Sequence, residues 1–520
     1  MSRPRVNDQT SPTKILFIGI DAGDQDLIFQ WSKEGLLPTF RSLLEKGAWG
    51  ITTNPVGFYV GAVWPSFFTG NSPARHGRYC YEQLRTGTYD HYDFLPFDIK
   101  LEPFWNTLSR ANQRVAIIDV PKTCPSIDLN GIQIVDWGTH DRDIEFCTWP
   151  EDLSVDVLAR FGKHPIYRCN ANRTSSAEFK DLRDALVLGV EKRCELARHF
   201  LDQGAWDLFM TVFAESHCVG HQCWHIHDPT HPRHDAEMAR SVGDPIKDVY
   251  IAIDAAIGQL LAQAGPETTV FILASHGMGP HYDGTFLLDE ILCRLEESKL
   301  SRARRQFAGA LERGWNKIPD GPRKRLGPLW NRAIRTLGMA VSEPEMSSRQ
   351  CFPIGNNDVY GAIRINLVGR EPLGRIKPGP EYDALCEKLR GDLLTLVNLD
   401  NGRPLVRKVF KTTDFYPGRN DELPDLLVEW DREDPISRVY SPKTGKIQKV
   451  FEGLRSGDHK PEGLFFALGP SIKRGRLERT VSVMDFAPTL ASLLGVPLPH
   501  VEGESFAALI GSNHNFSELQ

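Results

Sequence analysis

Short apolar runs recur along the first 280 residues and predict strands that are buried on both faces of a sheet. They cover residues 14–21, 114–120, 132–135, 206–213 and 268–274. The runs are continuous rather than alternating, and they are rich in the β-branched and aromatic residues that buried strands accommodate. Several of them end in polar residues, so we expect catalytic or binding residues at the ends of the predicted strands.

Most segments between these strands have apolar residues at helical spacing. The clearest are residues 36–47, which end in Gly47, and the longer stretches 176–201 and 246–264. Strands that alternate with helices predict an α/β fold, with a mostly parallel central sheet and helices on both faces.

The final third of the chain shows the same pattern of apolar strands and helices. Residues 361–367, 423–430 and 463–469 read as strands, and residues 484–497 as a helix with a proline near its start and a glycine at its end. We therefore expect these elements to complete the core that the first 290 residues begin.

Two segments depart from this pattern. Residues 58–77 mix aromatic and small residues, which predicts a loop leading into a short helix. Residues 291–340 carry twelve Lys or Arg against four Asp or Glu, in a chain whose net charge is -6. This basic stretch is either a solvated helical face or a lid that attracts an anionic substrate or makes peripheral contact with an acidic membrane, helped by Trp315 and Trp330.

The predicted organisation is one core domain interrupted by a helical cap. Its parts are a disordered N-terminus at 1–13, the core at 14–290 and 351–510, the basic insertion at 291–350 and a tail at 511–520.

Composition places the chain among ordinary soluble globular proteins. With 41% hydrophobic residues, 25% charged residues and a net charge of -6, it lacks the basic excess of a protein that binds a nucleic acid polymer. The polar N-terminus and the lack of an apolar stretch of about 20 residues predict a cytoplasmic protein. The ten cysteines form no paired framework, which predicts free thiols in a reducing compartment.

Two histidines four residues apart, His217 and His221, follow the strand predicted at 206–213. If the chain is helical there, both imidazoles lie on one face and can hold a single metal ion. The alternative is a His-rich surface loop, because four more histidines follow at positions 225, 227, 231 and 234.

Further polar residues follow other predicted strands, and ligands of open α/β sheets gather at the carboxyl ends of strands. Asp21 follows the first strand, where it either belongs to a site or caps the next helix. Ser275 and His276 follow the strand at 268–274, and His459 lies in a loop before the strand at 463–469.

Six motifs, in order along nearly the whole chain, resemble the alkaline phosphatase superfamily, in particular its type I phosphodiesterase and nucleotide pyrophosphatase branch. They are Ile18-Gly-Ile-Asp21-Ala, Thr69-Gly70 with Pro73 and His76-Gly77, the His217/His221 segment, Ser275-His276-Gly277, Gly457-Asp458-His459 with Gly463, and Asp485-Phe-Ala-Pro488-Thr489. The resemblance implies a hydrolase of phosphate esters, with diesters favoured. It also implies two metal ions, usually zinc, held over the carboxyl edge of a mixed sheet by Asp21, His217, His221, His276 and His459.

Three positions depart from the family pattern. The family's Thr or Ser nucleophile falls on Val60, whose side chain has no hydroxyl, so a covalent phospho-enzyme is excluded there. Ser275 stands where a carboxylate ligand is expected, and His217 replaces an aspartate. One implied metal site is thereby reduced to an aspartate and a histidine, while the other becomes a set of three histidines.

Three imidazoles and an open position are a ligand set known for catalytic zinc, which lowers the pKa of its bound water to about 7. We therefore expect attack by metal-bound hydroxide, with one or two zinc ions and with manganese or iron as alternatives. Glu215 is a candidate general base or a hydrogen-bond partner of a ligand, unless it is a solvated or helix-capping carboxylate. Ser66 would supply a hydroxyl if the loop is shifted relative to the family, as would Tyr59 or Thr69.

Two other functions remain open. The missing nucleophile and carboxylate also suit an inactive pseudoenzyme or binding protein on the same fold, and the site also suits a metal-dependent phosphonate or phosphoramidate hydrolase or a transferase. The expected partner is a small anionic substrate, with Trp64, Arg75 and Arg364 as candidate binding residues. Arg364 could equally pair with a structural carboxylate. The sequence sets no oligomeric state.

Overall fold

The computed structural model describes residues 14–166, 169–296, 343–357, 359–418, 421–511 and 516–517. The predicted disordered N-terminus, most of the predicted basic insertion with Trp315 and Trp330, and most of the tail lie outside the described residues. The contacts divide the chain into two units. The first unit comprises residues 1–78, 95–281 and 453–520, and the second comprises residues 79–94 and 282–452.

The first unit is built on a mixed, mostly parallel sheet. Eleven strands of the described residues form it, and ten of them follow one another in the order Phe516–Ser517, Gly475–Leu477, Ala48–Thr53, Gly463–Leu468, Thr269–Ala274, Ile15–Ile20, Leu208–Phe213, Val115–Ile118, Gly131–Val135 and Cys147–Trp149. The eleventh strand, Val481–Ser482, pairs with Ala48–Thr53. The strand Ile15–Ile20 lies at the centre and runs parallel to both of its neighbours.

Helices cover both faces of this sheet, as the alternation of strands and helices predicts. They are Gln25–Lys33, Pro38–Lys46, Tyr59–Thr69, Pro73–His76, Phe104–Arg110, Leu153–Phe161, Ser176–Asp202, Glu215–His227, Ala236–Val242, Pro245–Ala264, Phe486–Leu493 and Ala507–Ile510. Alternate residues of the central strand serve two separate cores: Leu16 and Ile18 belong to one, and Ile15 and Phe17 to the other. Burial on both faces explains why this strand is a continuous apolar run.

The loop predicted at the start of residues 58–77 is wrong. That part of the chain forms the helix Tyr59–Thr69, which is followed by a short helix, Pro73–His76. Ten of the eleven residues of the first helix are buried, so apolar residues occur all around it and no amphipathic stripe marks it in the sequence.

Among the described residues, no helix combines the length and apolar character needed to cross a membrane.

The second unit has its own core and smaller antiparallel sheets. Four strands pair in the order Cys351–Ile354, Tyr360–Ile365, Leu426–Trp430 and Val406–Lys411, and three in the order Val397–Asn398, Arg438–Ser441 and Gly445–Gln448. A hairpin joins Glu82–Leu84 to His91–Asp93, and the helices are Thr285–Leu295, Glu343–Ser348 and Pro380–Leu393. The strands predicted at 361–367 and 423–430 therefore exist, but they belong to this four-stranded sheet.

Candidate metal centre

Parallel pairing in the first unit brings three strand ends level with one another. Ile20 is opposite both Phe213 and Ala274, so the residues that follow these strands meet at one edge of the sheet. Asp21 follows the first strand, the helix Glu215–His227 follows the second, and Ser275 and His276 follow the third. The next helix is capped by Asp24, whose carboxylate accepts the Leu27 N–H, which leaves Asp21 available to the site.

His217 and His221 lie one turn apart on the helix Glu215–His227, as their spacing predicts. His217 Nδ1 is 2.6 Å from the Asp21 carboxylate, and His221 Nδ1 is 2.8 Å from the Gly457 carbonyl oxygen. Both acceptors require a proton on Nδ1. The two Nε2 atoms therefore carry lone pairs, and they face each other at 3.0 Å.

Close packing of backbone against backbone sets the position of His221. A Cβ atom at Gly457 would lie 2.2 Å from the Gly220 carbonyl oxygen, so only glycine allows the strand Gly457–Lys460 to approach the helix this closely. The same strand pairs with Gly277–Pro280, where His459 is opposite Met278.

His459 and His276 complete the group. The His459 ring centroid is 4.6 Å from that of His217, 4.7 Å from that of His221 and 4.5 Å from that of His276. His276 Nε2 is buried and has no hydrogen-bond partner among the described residues. We call Asp21, His217, His221, His276 and His459 the histidine cluster, and the structure brings all five together at the sheet edge.

Burial keeps these imidazoles neutral. It lowers the pKa of His217 to about 4, an effect to which neighbouring His140 adds, and it lowers the pKa of His276 to about 4. Burial also holds the pKa values of His221 and His459 well below the ordinary range. Burial alone would raise the pKa of the Asp21 carboxyl, but the contacts with His217, His276 and Trp64 together outweigh it and the net pKa is lowered. The cluster therefore presents neutral imidazoles beside one carboxylate.

The facing lone pairs fit a metal ion. Two unprotonated nitrogens 3.0 Å apart repel each other unless a cation or a proton lies between them. Ligand nitrogens on a tetrahedral zinc ion, at Zn–N distances of about 2.0–2.1 Å, are about 3.3 Å apart. Imidazole suits zinc or iron, whereas manganese prefers oxygen ligands. The donor set thus favours zinc or iron over manganese.

Trp64 contacts the cluster through Asp21. Its indole N–H donates to Asp21 Oδ1 at 2.8 Å, and its side chain is buried. The Ser216 hydroxyl donates to the Asp21 backbone oxygen at 2.6 Å. One carboxylate oxygen is thus held by Trp64 and the other by His217. In this structure Trp64 orients a carboxylate, a contact that differs from the substrate contact expected for it.

Glu215 belongs to a different set of contacts. Its Oε1 accepts from His164 Nε2 at 2.9 Å and from Arg193 Nε at 3.2 Å, and Arg193 Nη1 is 2.5 Å from Asp119. Trp137 and Gly138 donate their N–H groups to Asp119. Burial would raise the pKa of Glu215, but Arg193 and His164 together with a backbone hydrogen bond outweigh it, and the net pKa is lowered. We call Asp119, His164, Arg193 and Glu215 the arginine cluster; it holds Glu215 ionised and buried.

Ser66 lies on the helix Tyr59–Thr69 and contacts His76. The Ser66 Oγ to His76 Nε2 distance is 2.9 Å, and both residues are fully buried. The Arg78 backbone N–H donates to His76 Nδ1 at 3.2 Å, so Nε2 carries the proton and donates to Ser66. A histidine in this tautomer cannot take a proton from Ser66, and the geometry gives no support to Ser66 as a nucleophile.

The two candidate arginines are held by protein groups. Arg75 Nη1 donates to Asn71 Oδ1 at 2.6 Å and to the His500 carbonyl oxygen at 2.7 Å. Arg364, in the second unit, is buried and pairs with Glu371 at 2.7 Å. Arg364 therefore makes the structural ion pair that the sequence analysis left as its alternative.

Sequence reasoning missed His140 and one cysteine pair. The His140 ring stacks on His217 with centroids 3.8 Å apart, and nitrogens of His140, His217 and His221 lie within 4.8 Å of one another. Cys169 and Cys218 form a disulfide, which corrects the prediction that all ten cysteines are free. His140 follows the strand Gly131–Val135, so the rule of looking beyond each strand end could have found it.

Comparisons with known proteins agree with this architecture. A family model described as type I phosphodiesterase / nucleotide pyrophosphatase matches residues 15–449. Phosphonoacetate hydrolase from Sinorhizobium meliloti 1021, solved with phosphonoacetate, matches with a TM-score of 0.52 at 12% identity, over 93% of this chain and 96% of that chain. Murine ectonucleotide pyrophosphatase / phosphodiesterase 5 matches with a TM-score of 0.49 at 14% identity, over 96% and 99% of the two chains. No curated protein matched. At 12% identity the hydrolase shows a shared fold, which confirms the predicted α/β architecture.

Proposed function

The chain belongs to the type I phosphodiesterase and nucleotide pyrophosphatase family, and from this premise we propose that it is a metal-dependent hydrolase of phosphate esters, with diesters preferred. The family match confirms the resemblance drawn from the six motifs. The observation that carries the proposal is the pair of His217 and His221 Nε2 atoms, which face each other at 3.0 Å with both Nδ1 atoms committed to acceptors.

We assign His217, His221 and His459 as the residues that hold one ion, with His276 beside them. Asp21 bonds to His217 Nδ1 through one oxygen and to Trp64 through the other. A carboxylate behind a histidine fixes the tautomer of the ring and makes it a better ligand. We therefore give Asp21 the role of orienting His217, and expect one zinc ion per chain.

Water supplies the attacking oxygen in this proposal. A zinc ion held by the three histidines would lower the pKa of a coordinated water to about 7 and polarise a phosphoryl oxygen. Val60, the position that matches the family nucleophile, lies in the first turn of the helix Tyr59–Thr69 and has no hydroxyl to form a covalent intermediate. The preceding Tyr59 donates its hydroxyl to the His459 carbonyl oxygen at 3.1 Å, which brings this turn beside the cluster.

The same helix supports anion binding. The first turn of a helix carries partial positive charge and N–H groups without helical partners, a combination that stabilises phosphate. Tyr59 and His276 have ring centroids 6.4 Å apart, so a phosphoryl group near the cluster would lie close to this helix end. Glu215 and Ser66 have no catalytic role in this proposal, because Glu215 Oε1 is held by His164 and Arg193 and the Ser66 hydroxyl is held by His76.

A binding protein without hydrolytic activity is the second candidate. It is favoured by Val60 and by Ser275, whose Oγ lies 2.9 Å from His276 Nδ1 at the position of an expected carboxylate ligand. Phosphonates are a further substrate class to test, because a phosphonoacetate hydrolase shares the fold.

The test combines elemental analysis with a substrate panel. Protein purified without chelator would be analysed for metal and assayed with bis(4-nitrophenyl) phosphate, 4-nitrophenyl phosphate and phosphonoacetate. We expect one zinc ion per chain and fastest turnover of the diester, abolished by chelator and restored by zinc. The triple variant His217→Ala, His221→Ala, His459→Ala should lose both metal and turnover. Ser66→Ala should keep both, as should the control His199→Ala, which changes a histidine outside the cluster.

Other results would redirect the proposal. Two ions per chain in protein whose Cys169–Cys218 disulfide is intact would make Asp21 and His276 ligands of a second site. Zinc bound without turnover of any of the three substrates would favour the binding protein, and failure to bind metal under any loading condition would refute the catalytic assignment.

A further inference from the structure

A second group of metal-binding side chains lies behind the histidine cluster. It consists of His140, Cys169 and Cys218, and their ligand atoms lie within 4.8 Å of one another. All three residues are at least nine-tenths buried, with exposed fractions of 4%, 6% and 3%. Cys169 and Cys218 are bonded as a disulfide and lie 49 residues apart in sequence. We call these three residues the thiol group.

His140 is oriented to bind a cation located at the sulfur atoms. Its Nδ1 is 3.0 Å from Cys218 Sγ, and its Nε2 is 3.0 Å from Asp141 Oδ2. The negative charge of Asp141 favours the proton on Nε2, which leaves the Nδ1 lone pair facing sulfur. Disulfide sulfur is a weak acceptor with little to offer that lone pair, whereas a cation between nitrogen and sulfur would satisfy both.

The thiol group is reachable from solvent. Cys169 forms part of the wall of a cavity of about 710 Å³, together with Thr139, Asp141, Asp143, Ile166 and Asn170. Asn170 and Arg455 both donate to the Asp141 carboxylate, at 2.8 and 2.9 Å, so the wall that carries Asp141 is itself held in place. A small reductant or a metal ion can therefore approach the sulfur atoms through this cavity.

We propose that the thiol group is a second, soft cation site, and that the disulfide is its oxidised form. A dithiol reductant would deliver two electrons and two protons, breaking the Sγ–Sγ bond and leaving two thiols while the reductant becomes a disulfide. Binding of a divalent cation then releases the two thiol protons, and His140 Nδ1 provides the third ligand. Two thiolates and one imidazole select zinc or a similar soft cation.

This site is separate in chemistry from the proposed hydrolytic site but adjoins it. Cys218 follows His217 on the same helix, and the His140 ring stacks on His217. The two sites differ in their ligands, since the histidine cluster offers nitrogen and oxygen only. Cobalt(II) distinguishes them, because thiolate ligands add an intense near-ultraviolet charge-transfer band that imidazole and carboxylate ligands do not give.

The experiment is a cobalt(II) titration of the full chain before and after reduction with a dithiol, with the reductant removed under nitrogen. We expect the charge-transfer band only in the reduced protein, which should bind one more cobalt ion per chain than the oxidised protein, and we expect reoxidation to reverse it. Absence of the band in the reduced protein would overturn the proposal and leave the disulfide as a structural bond. Visible bands without the charge-transfer band would report the histidine cluster alone, so failure of one site is distinguishable from failure of the other.

Variants assign the band to its ligands. The double variant Cys169→Ser, Cys218→Ser should abolish it, and His140→Ala should raise the dissociation constant for cobalt by about tenfold or more. Cys223→Ser, which changes a buried free cysteine on the same helix, should leave the band unchanged. A band that survives the double variant would refute the assignment. If that variant does not fold, thiol labelling of reduced wild-type protein decides: zinc should protect two thiols and a chelator should expose them, and labelling unaffected by zinc would refute the site.

Discussion

The histidine cluster and the arginine cluster are two buried groups of polar residues in the first unit. They differ in the partners that their polar atoms contact. In the arginine cluster the Arg193 cation meets the carboxylates of Asp119 and Glu215, and His164 Nε2 donates to Glu215. In the histidine cluster two lone pairs face each other, and His276 Nε2 faces no partner among the described residues. Each cluster holds a buried atom without a partner, since Glu215 Oε2 also has none among the described residues. The two lone pairs that face each other are therefore what distinguishes the histidine cluster, and burial alone does not mark a functional site.

The contrast is sharpest on one helix. Glu215 and His217 are two residues apart, which places their side chains on different faces of the helix Glu215–His227. One face turns to Arg193 and the other to Asp21. A carboxylate that looks catalytic by its position in the sequence is thus committed to stability, while its neighbour is available to a metal.

Removal of the central cation of the arginine cluster should have the largest effect. Arg193→Met leaves Asp119 and Glu215 buried without a counter-charge, and we expect the free energy of unfolding to fall by about 3–5 kcal/mol. Urea denaturation of the metal-free protein measures this. Arg41→Met, at an exposed pair with Glu45, is the control and should change the value by no more than about 0.5 kcal/mol. A loss below about 1 kcal/mol for Arg193→Met would show that the two clusters do not differ in this way.

The histidine cluster should give the opposite result when one of its ligands is replaced. His221→Asn keeps a side-chain N–H at the position of Nδ1, where it can donate to Gly457, but removes the ligand nitrogen Nε2, so the metal-free stability should change by less than about 1 kcal/mol. Zinc at a hundred times its dissociation constant should stabilise the wild type by about 2.7 kcal/mol and the variant by much less. Thermal unfolding with and without zinc tests both statements. Equal stabilisation of variant and wild type would exclude His221 as a ligand.

Loss of the indole N–H at Asp21 should have a smaller effect on metal binding. Trp64→Phe removes the bond to Asp21 Oδ1, so His217 is held less firmly, and the zinc dissociation constant should rise about 10–100-fold. Isothermal titration calorimetry measures it. The control is Trp49→Phe, because the Trp49 indole N–H is buried without a hydrogen-bond partner among the described residues. Equal effects of the two variants would indicate lost packing instead of a lost hydrogen bond.

His76 is a buried histidine whose two ring nitrogens both have hydrogen-bond partners. We expect it to contribute to stability, as the arginine cluster does. Burial lowers its pKa to about 3, below the value near 6.5 of an unfolded histidine, so the unfolded chain binds the proton first as the pH falls. The stability that His76 contributes is present above pH 6.5 and declines between pH 6.5 and 3, by at most about 1.4 kcal/mol per pH unit. The fall in unfolding free energy over this range should be smaller in His76→Gln. Identical pH profiles would mean that His76 has an ordinary pKa in the folded protein.

The sequence by itself determined the fold class and the five residues of the histidine cluster that meet at the sheet edge. Apolar runs identified the strands Ile15–Ile20, Val115–Ile118 and Thr269–Ala274, because a strand buried on both faces must be apolar throughout. Polar residues that follow such strands meet at one sheet edge, so the location of Asp21 and His276 at this edge could be predicted from the sequence. The spacing of His217 and His221 indicated a shared helix face, which the structure confirms.

Tertiary structure decided which partner each of these side chains has. The sequence cannot show that Asp21 contacts His217, that Glu215 contacts Arg193, or that Cys169 bonds to Cys218, because these pairs come from strand register and packing between distant segments. It also missed the helix Tyr59–Thr69, since a helix buried on all sides has no polar face to mark its period. Hydrophobic periodicity records where the chain is buried, whereas the partner of each buried polar atom is set only when the chain folds.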